Sequence, residues 1–495
     1  MAAILLAAGP ASADVRGSLR LDQPGARVHP DVHGQFMEQL GSGITGGIWV
    51  GEDSAIPNTR GFRNDVVAAL KALEVPVVRW PGGCYADTYH WRDGVGPRAD
   101  RPVTLNRWWG NSEEDNAFGT HEFFDFAELI GAKTYLSINM GSGTPAEAAQ
   151  WVEYITSDTR STLAQERRAN GRARPWKIDY LGLGNEPWGC GGRMRASYYT
   201  DLMRQYVGFV MPEGTVSVAS GPNAGDYDWT RTLMRDGRDN FDQLSLHYYT
   251  LPTGDWARKG ASVGFDGAEW DATFRQAYRI EEMIRGHDAI MDEYDPEGRV
   301  ALAVDEWGAW YDPTPGTMAG HLQQQNSLRD ALLAAVHFNI FHRHADRVRM
   351  SNVAQMVNVL QALILTDGPR MTLTPTYHAF MLYKPFRNAA VLPVTLEAEG
   401  ADRVDVTAAR SDDGRVHVAL VNLDPAQATE VRIRLDGAHG RTVAGQVLTS
   451  DRMDAHNTFE QPATIAPTAF RGARIEDGVL IARLPAKALV VLELR

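Results

Sequence analysis

Eight short apolar runs recur along the chain, each ending in or carrying a polar residue and most followed by a helical stretch. They are Val32–Met37, Val75–Trp80, Thr134–Ile138, Ile178–Leu183, Val216–Ala219, Gln243–Leu246, Ala301–Val304 and Met350–Val359. Between them, Asn64–Leu73, His121–Ile130, Pro145–Ile155, Thr273–Met291 and Leu328–His344 carry helical spacing. Gly131 stops the second of these, and Pro145 sits at a suitable first-turn position in the third. Strands joined by helical crossovers favour a parallel sheet. Eight such units favour an α/β fold closed into a (β/α)8 TIM barrel, whose C-terminal strand ends share one mouth. Here those ends carry Glu38, Arg79, Asn139, Glu186, Asn223, Tyr249, Glu306 and Gln355. A doubly wound open sheet is the alternative, but no glycine-rich phosphate loop follows the first strand.

After about Pro385 the pattern changes. Val404–Thr407, Val416–Val421, Val431–Leu435 and Leu489–Leu494 alternate or run apolar at strand length, with turns such as Asp412-Asp413-Gly414 between them. This predicts a C-terminal antiparallel β-sandwich. The expected division is a barrel over 31–384 and a sandwich over 385–495 together with 14–30, which holds a further strand or two.

Residues 1–13 are apolar and small, and Ala11-Ser12-Ala13 resembles a secretory cleavage site, although no positive segment precedes it. A signal remnant and a periplasmic or secreted location are expected, with a meaningless tail and a cytoplasmic enzyme as the other reading. No run reaches the roughly 20 apolar residues of a membrane span. Acidic residues outnumber basic ones, 62 to 49. That balance argues against nucleic acid and anionic membranes as partners.

Two of the strand ends share one pattern. Leu181-Gly182-Leu183-Gly184-Asn185-Glu186-Pro187-Trp188 and Ala303-Val304-Asp305-Glu306-Trp307 are each an apolar strand, a glutamate and a nearby indole. From the fourth and seventh places of an eight-stranded ring, both glutamates reach one pocket. Cleavage of a glycosidic bond needs a protonated carboxyl at the leaving oxygen and an ionised one at the anomeric carbon, with aromatic faces for the sugar. Arg79 is a reasonable partner to keep one carboxylate ionised. Alone, either motif reads as a structural buried glutamate; together in one eight-strand frame they point to catalysis.

The motifs Phe36-Met37-Glu38-Gln39-Leu40-Gly41, Arg79-Trp80-Pro81-Gly82-Gly83, Trp91-Arg92-Asp93-Gly94-Val95-Gly96-Pro97, Gly184-Asn185-Glu186, Ser245-Leu246-His247-Tyr248-Tyr249, Asp305-Glu306-Trp307 and Ala354-Gln355-Met356-Val357-Asn358 resemble those of glycoside hydrolase family 51 α-L-arabinofuranosidases. The resemblance extends to Asp454–Phe459 in the sandwich. It implies a retaining exo-hydrolase, with Glu186 as acid/base and Glu306 as nucleophile. The substrate would be terminal arabinofuranose on arabinan, arabinoxylan or arabino-oligosaccharides. It further implies sugar contacts from Glu38, Asn185, Tyr249 and Gln355, an N-terminal strand packed with the C-terminal region, and neither metal nor cofactor. Family members often form homo-oligomers.

Arg79, His247 and Trp307 complete the expected binding set, His247 as an orienting residue. Many members carry asparagine after Pro-Gly-Gly, where this chain has Cys84. A thiol is a poor hydrogen-bond partner, so Asp87 or His90 would have to supply that contact. Cys84 and Cys190, the only cysteines, both flank the expected pocket. They are read either as two small buried thiols or as a disulfide across the rim. Trp49, Trp108, Trp109 and Trp188 lie in loops and are candidates for the sugar site. The alternatives are an endo-acting glucanase or xylanase, which an open cleft would favour, and a non-catalytic sugar-binding protein.

Overall fold

The computed structural model describes residues 14–397, 403–437 and 442–495. The expected signal remnant lies outside the described residues. Eight parallel strands close into a barrel: β1 (Gly34–Phe36), β2 (Val77–Trp80), β3 (Lys133–Ile138), β4 (Tyr180–Leu183), β5 (Val216–Ala219), β6 (Gln243–Thr250), β7 (Ala301–Ala309) and β8 (Val348–Val353). Each pairs with its neighbour in sequence, and β8 pairs with β1.

The helix over Asn64–Leu73 stands where its spacing predicted it, and that over Thr120–Ile130 ends at Gly131 in the left-handed conformation, φ +76°. Four expectations shift. β1 is shorter than predicted, because Pro30–His33 forms a 3-10 turn instead of strand. The helix expected over Thr273–Met291 is two, Gly267–Ala277 and Arg279–Tyr294, the first capped by the Asp266 carboxylate accepting from Glu269 N at 2.9 Å. β6 and β7 run past their predicted ends to Thr250 and Ala309. β8 stops at Val353, so Gln355 sits in the turn beyond it.

β7 carries a bulge. Ser245 pairs with Ala303 but His247 pairs with Glu306, so three residues of β7 span two of β6. Ordinary alternation would turn Asp305 and Glu306 to opposite faces. Across the bulge both enter the barrel: Asp305 accepts from Tyr135 Oη at 2.7 Å and Ser245 Oγ at 2.6 Å.

The sandwich is two sheets. One orders Val394–Glu397, Asp14–Arg20, Thr429–Asp436, Val479–Leu484 and Ala473–Glu476; the other centres on Val416–Asn422 between Val404–Arg410 and Ala488–Leu494. The strand Asp14–Arg20 pairs parallel with Thr429–Asp436, and its Val15 and Leu19 enter the core with Val418, Leu420, Ile433 and Val490. The barrel holds the sandwich through Asp405, which takes hydrogen bonds from Tyr278 Oη at 2.9 Å and Asn339 Nδ2 at 2.8 Å and pairs with Arg343 at 3.0 Å. Among the described residues no helix is long and apolar enough to cross a membrane.

Candidate active site

The chain leaves β4 through Gly184 at φ +80° and Glu186 at φ +39°. A non-glycine residue in the left-handed region is uncommon and held only by its surroundings. The holding group is Asp87. Its carboxylate accepts from Asn185 N at 2.9 Å, Met140 N at 2.8 Å and Gly141 N at 2.9 Å. Burial pushes Asp87 up to about 7 in spite of those three donors. Asp87 therefore braces the β4 turn. His90 bonds Glu147 on the exterior, at 2.9 Å.

Glu306 sits at the far side of the mouth on β7. It accepts from Arg79 Nη1 at 2.7 Å and from Tyr249 Oη at 2.8 Å. Arg79, 1% exposed, also donates through Nη2 to Asn185 Oδ1 at 2.6 Å, and its Nε lies 3.6 Å from Asp305. One guanidinium thus ties β2, β4 and β7 together. Burial alone would raise Asp305, but Arg79 and His247 override it and hold its carboxyl far below the usual range.

His247 bridges the two glutamates. Its Nδ1 lies 2.8 Å from Glu186 Oε1 and 3.5 Å from Glu306 Oε2, and its Nε2 lies 3.3 Å from Asp305. Burial would lower its pKa, but the Glu306 and Asp305 charges lift it to about 10. One carboxylate oxygen of Glu186 and one of Glu306 lie within 4.8 Å of each other. Burial, reinforced by the charge of Glu306, raises Glu186 above an ordinary glutamate, with the His247 hydrogen bond opposing. The two carboxyls therefore stand in different surroundings, which is what lets one site hold an acid and a base at one pH.

Glu38 floors the pocket. It accepts from Tyr85 N at 2.9 Å, Trp109 Nε1 at 2.8 Å and Gln355 Nε2 at 3.0 Å, and burial pushes it up to about 7 against those bonds. The glycines after Pro81 are explained by this carboxylate. A Cβ on Gly83 would lie 2.8 Å from Glu38 Oε2, and one on Gly82 would lie 2.9 Å from Oε1. Gly83→Ala is expected to displace Glu38 and lower kcat/KM by about 10- to 100-fold, roughly 1.4–2.7 kcal/mol of transition-state stabilisation. Steady-state kinetics beside an unchanged thermal unfolding curve checks this.

Glu38, Cys84, Asn185, Glu186, Tyr249, Glu306 and Gln355 line one small pocket, together with Trp109, Trp310, Leu322 and Leu360. A second cleft opens from Glu186 and Tyr249 past Trp188, Asn223 and Trp256. Trp307 is not in the site. It is 0% exposed, packed on Phe338, Phe341 and Phe380 behind β7, with its Nε1 donating to Ser351 Oγ at 3.1 Å. Strand alternation sends it outward once Glu306 points in. Trp49 is likewise core, 3% exposed against Phe62. The sequence reading misses Asp305 as part of the site, offers Asp87 as a stand-in sugar contact and not as a brace, and has Trp109 as one loop tryptophan among several.

Cys84 and Cys190 form a disulfide with a Cα–Cα separation of 5.5 Å. It joins the loop after β2 to the turn after β4. The Cys190 sulfur lies 3.6 Å from Glu186 Oε2.

A closed parallel barrel with a pair of carboxylates facing each other at its C-terminal mouth defines the class: a glycoside hydrolase of barrel type. Comparison with known proteins specifies it. Residues 69–254 match the alpha-L-arabinofuranosidase 1 domain, and residues 305–488 match the alpha-L-arabinofuranosidase C-terminal domain. An intracellular exo-alpha-L-arabinofuranosidase of Bacteroides ovatus is 45% identical over 97% of this chain and 95% of its own. The crystal structure of the GH51 arabinofuranosidase from Xanthomonas axonopodis pv. citri is 53% identical and superposes with a TM-score of 0.95, over 97% of this chain and all (100%) of that one. An arabinose complex of the Thermotoga maritima alpha-L-arabinofuranosidase is 30% identical with a TM-score of 0.85, over 97% and 100%. The chain belongs to glycoside hydrolase family 51, the α-L-arabinofuranosidases.

Proposed function

We propose that this enzyme releases terminal, non-reducing α-L-arabinofuranosyl residues by double displacement. Glu306 attacks the anomeric carbon while Glu186 protonates the leaving oxygen; Glu186 then deprotonates the incoming water. The observation that carries the reading is the oxygen separation within 4.8 Å. Retaining enzymes hold their carboxyls about 5–5.5 Å apart, whereas inverting ones leave about 6.5–9.5 Å for a water. Arg79 and Tyr249 donate to Glu306 and fix the orientation of its carboxylate. Glu38, Asn185, Tyr249 and Gln355 would hold the sugar hydroxyls, and Cys84 would contribute packing against the ring.

The exo reading rests on the shape of the site. One end is a small pocket floored by Glu38 and walled by Trp109, Trp310, Leu322 and Leu360. The other end opens past Glu186, where a leaving group exits. An endo-acting enzyme needs a cleft open at both ends. On a linear arabino-oligosaccharide, free arabinose is expected as the first and only monosaccharide product, each chain shortening by one unit. Proton NMR of the first turnovers should show the α-anomer. Internal fragments, or the β-anomer first, would overturn the respective part. Arabinan, arabinoxylan and arabino-oligosaccharides all present such termini, and a panel of them ranks linkage preference.

The acid step gives a pH prediction. Glu186 works as an acid only while protonated, and its pKa is raised. The alkaline limb of kcat/KM is therefore expected above the roughly 4.3 of an ordinary glutamate. In Glu186→Gln, assayed on an aryl arabinofuranoside with an acidic leaving group, that limb should vanish. A limb that persists unchanged assigns it to another group. The disulfide suits a periplasmic or secreted enzyme, while the Bacteroides ovatus relative is named intracellular. Cell fractionation with a free-thiol titration separates the two.

A further inference from the structure

The disulfide at the rim has a third member. One donor atom from each of Cys84, Cys190 and Glu186 lies within 4.8 Å of the other two. The Cys190 sulfur and Glu186 Oε2 are 3.6 Å apart. That is already the edge joining two ligand atoms on one tetrahedral zinc ion, given bonds of about 2.3 Å to sulfur and about 2.0–2.2 Å to oxygen. His247 Nδ1, 2.8 Å from the other Glu186 oxygen, is placed as the group that orients a ligating carboxylate. Both cysteines and Glu186 are only half-buried, so reductant and metal have access.

We propose that reduction of the Cys84–Cys190 disulfide converts the rim of the active site into a soft-metal site, with the two thiolates and Glu186 binding Zn²⁺ and water filling the fourth position. The reducing step is thiol–disulfide exchange with a dithiol. The protein S–S bond breaks, two protein thiols form, and the dithiol closes to its own disulfide. Metal then displaces the two thiol protons to solvent. Each sulfur needs only to rotate about its Cα–Cβ bond. The pair must part to about 3.8 Å, the edge that roughly 2.3 Å Zn–S bonds impose, and a Cα separation of 5.5 Å leaves room for it. Bound metal occupies the carboxylate that donates the proton in the glycosidase reading, so metal and turnover exclude each other.

The inhibition arm rests on Glu186 as acid/base; the binding arm does not. The experiment titrates Co²⁺ and Zn²⁺ into the full chain, once oxidised and once reduced with a phosphine and desalted. The reduced protein is expected to bind one Zn²⁺ per chain, to show a thiolate-to-cobalt charge-transfer band, and to gain Tm on zinc addition. The oxidised protein is expected to do none of these. Cys84→Ser and Cys190→Ser, reduced, should each bind at least about 100-fold more weakly, more than an outer-shell change costs. Hydrolysis by the reduced enzyme should fall with zinc occupancy and return with a chelator. Equal zinc response in oxidised and reduced protein, a cobalt complex lacking the thiolate band, or no Tm gain on zinc addition would overturn the site. Binding without loss of turnover would instead count against Glu186 as the acid/base.

Discussion

Glu306→Gln is expected to lose kcat by a factor on the order of 10⁴ or more on every substrate, the scale of removing a covalent nucleophile. The substitution keeps shape and volume. The amide carbonyl still accepts from Arg79, and Tyr249 turns from donor to acceptor, so both contacts of 2.7 and 2.8 Å find partners. Loss of activity in a folded variant therefore reports chemistry and not collapse. Glu186→Ala is expected to behave differently. Its first step needs protonation only when the leaving group is poor, so an acidic aryl leaving group should retain far more activity than a sugar. With that aryl substrate the glycosyl-enzyme then waits for a base. Azide, small enough for the space the carboxylate vacated, should accelerate turnover and give a glycosyl azide of retained configuration. Equal losses on both substrate classes, or no azide product, would remove Glu186 from the role.

The barrel was legible because its strands are apolar runs of the right length, punctuated by helical stretches whose caps are local chemistry. Gly131 and Pro145 act within a few residues of where they stand, and a linear reading finds them. The seven motifs brought Glu38, Arg79, Asn185, Tyr249 and Gln355 to one mouth for the same reason: each ends or follows a strand. What resisted is what depends on register. The β7 bulge is set by how β6 and β8 pair with it, not by any residue in Asp305-Glu306-Trp307, so the linear sequence shows neither that Asp305 turns into the barrel nor that Trp307 turns away from the sugar site. Asp87 resisted differently. It spends its carboxylate on backbone donors of two other loops, and no local spacing announces that. The tryptophan that does reach the site, Trp109, is one of two adjacent in sequence, and only the loop's path shows which points at Glu38.

Arg79→Met should be the most destabilising single change in the site, by about 3–5 kcal/mol at neutral pH, because it strands buried carboxylates rather than removing a favourable pair of equal worth. Asp305 and Glu306 both face this guanidinium, at 3.6 and 2.7 Å, and Asn185 Oδ1 loses the donor that Arg79 Nη2 supplies at 2.6 Å. The pH dependence identifies the cause. Arg79 helps hold the Asp305 pKa far below its unfolded value, near 3.9. A carboxyl depressed on folding contributes stability that is complete above the unfolded pKa and is lost as pH falls through the folded one. Wild type has that contribution to lose; the variant has forfeited the part Arg79 supplied. The gap in unfolding free energy between the two should therefore be widest near neutrality and narrow as pH drops below about 4. Denaturant unfolding of both proteins across that range measures it. A gap that stayed constant on acidification would mean the methionine is penalised by poor packing, and the guanidinium would lose its place as the electrostatic hub of the barrel mouth. Because the same hydrogen bonds orient Glu306 and Asn185, the variant should also lose turnover by at least about 10³-fold, the scale of removing a preorganised charge from an active site.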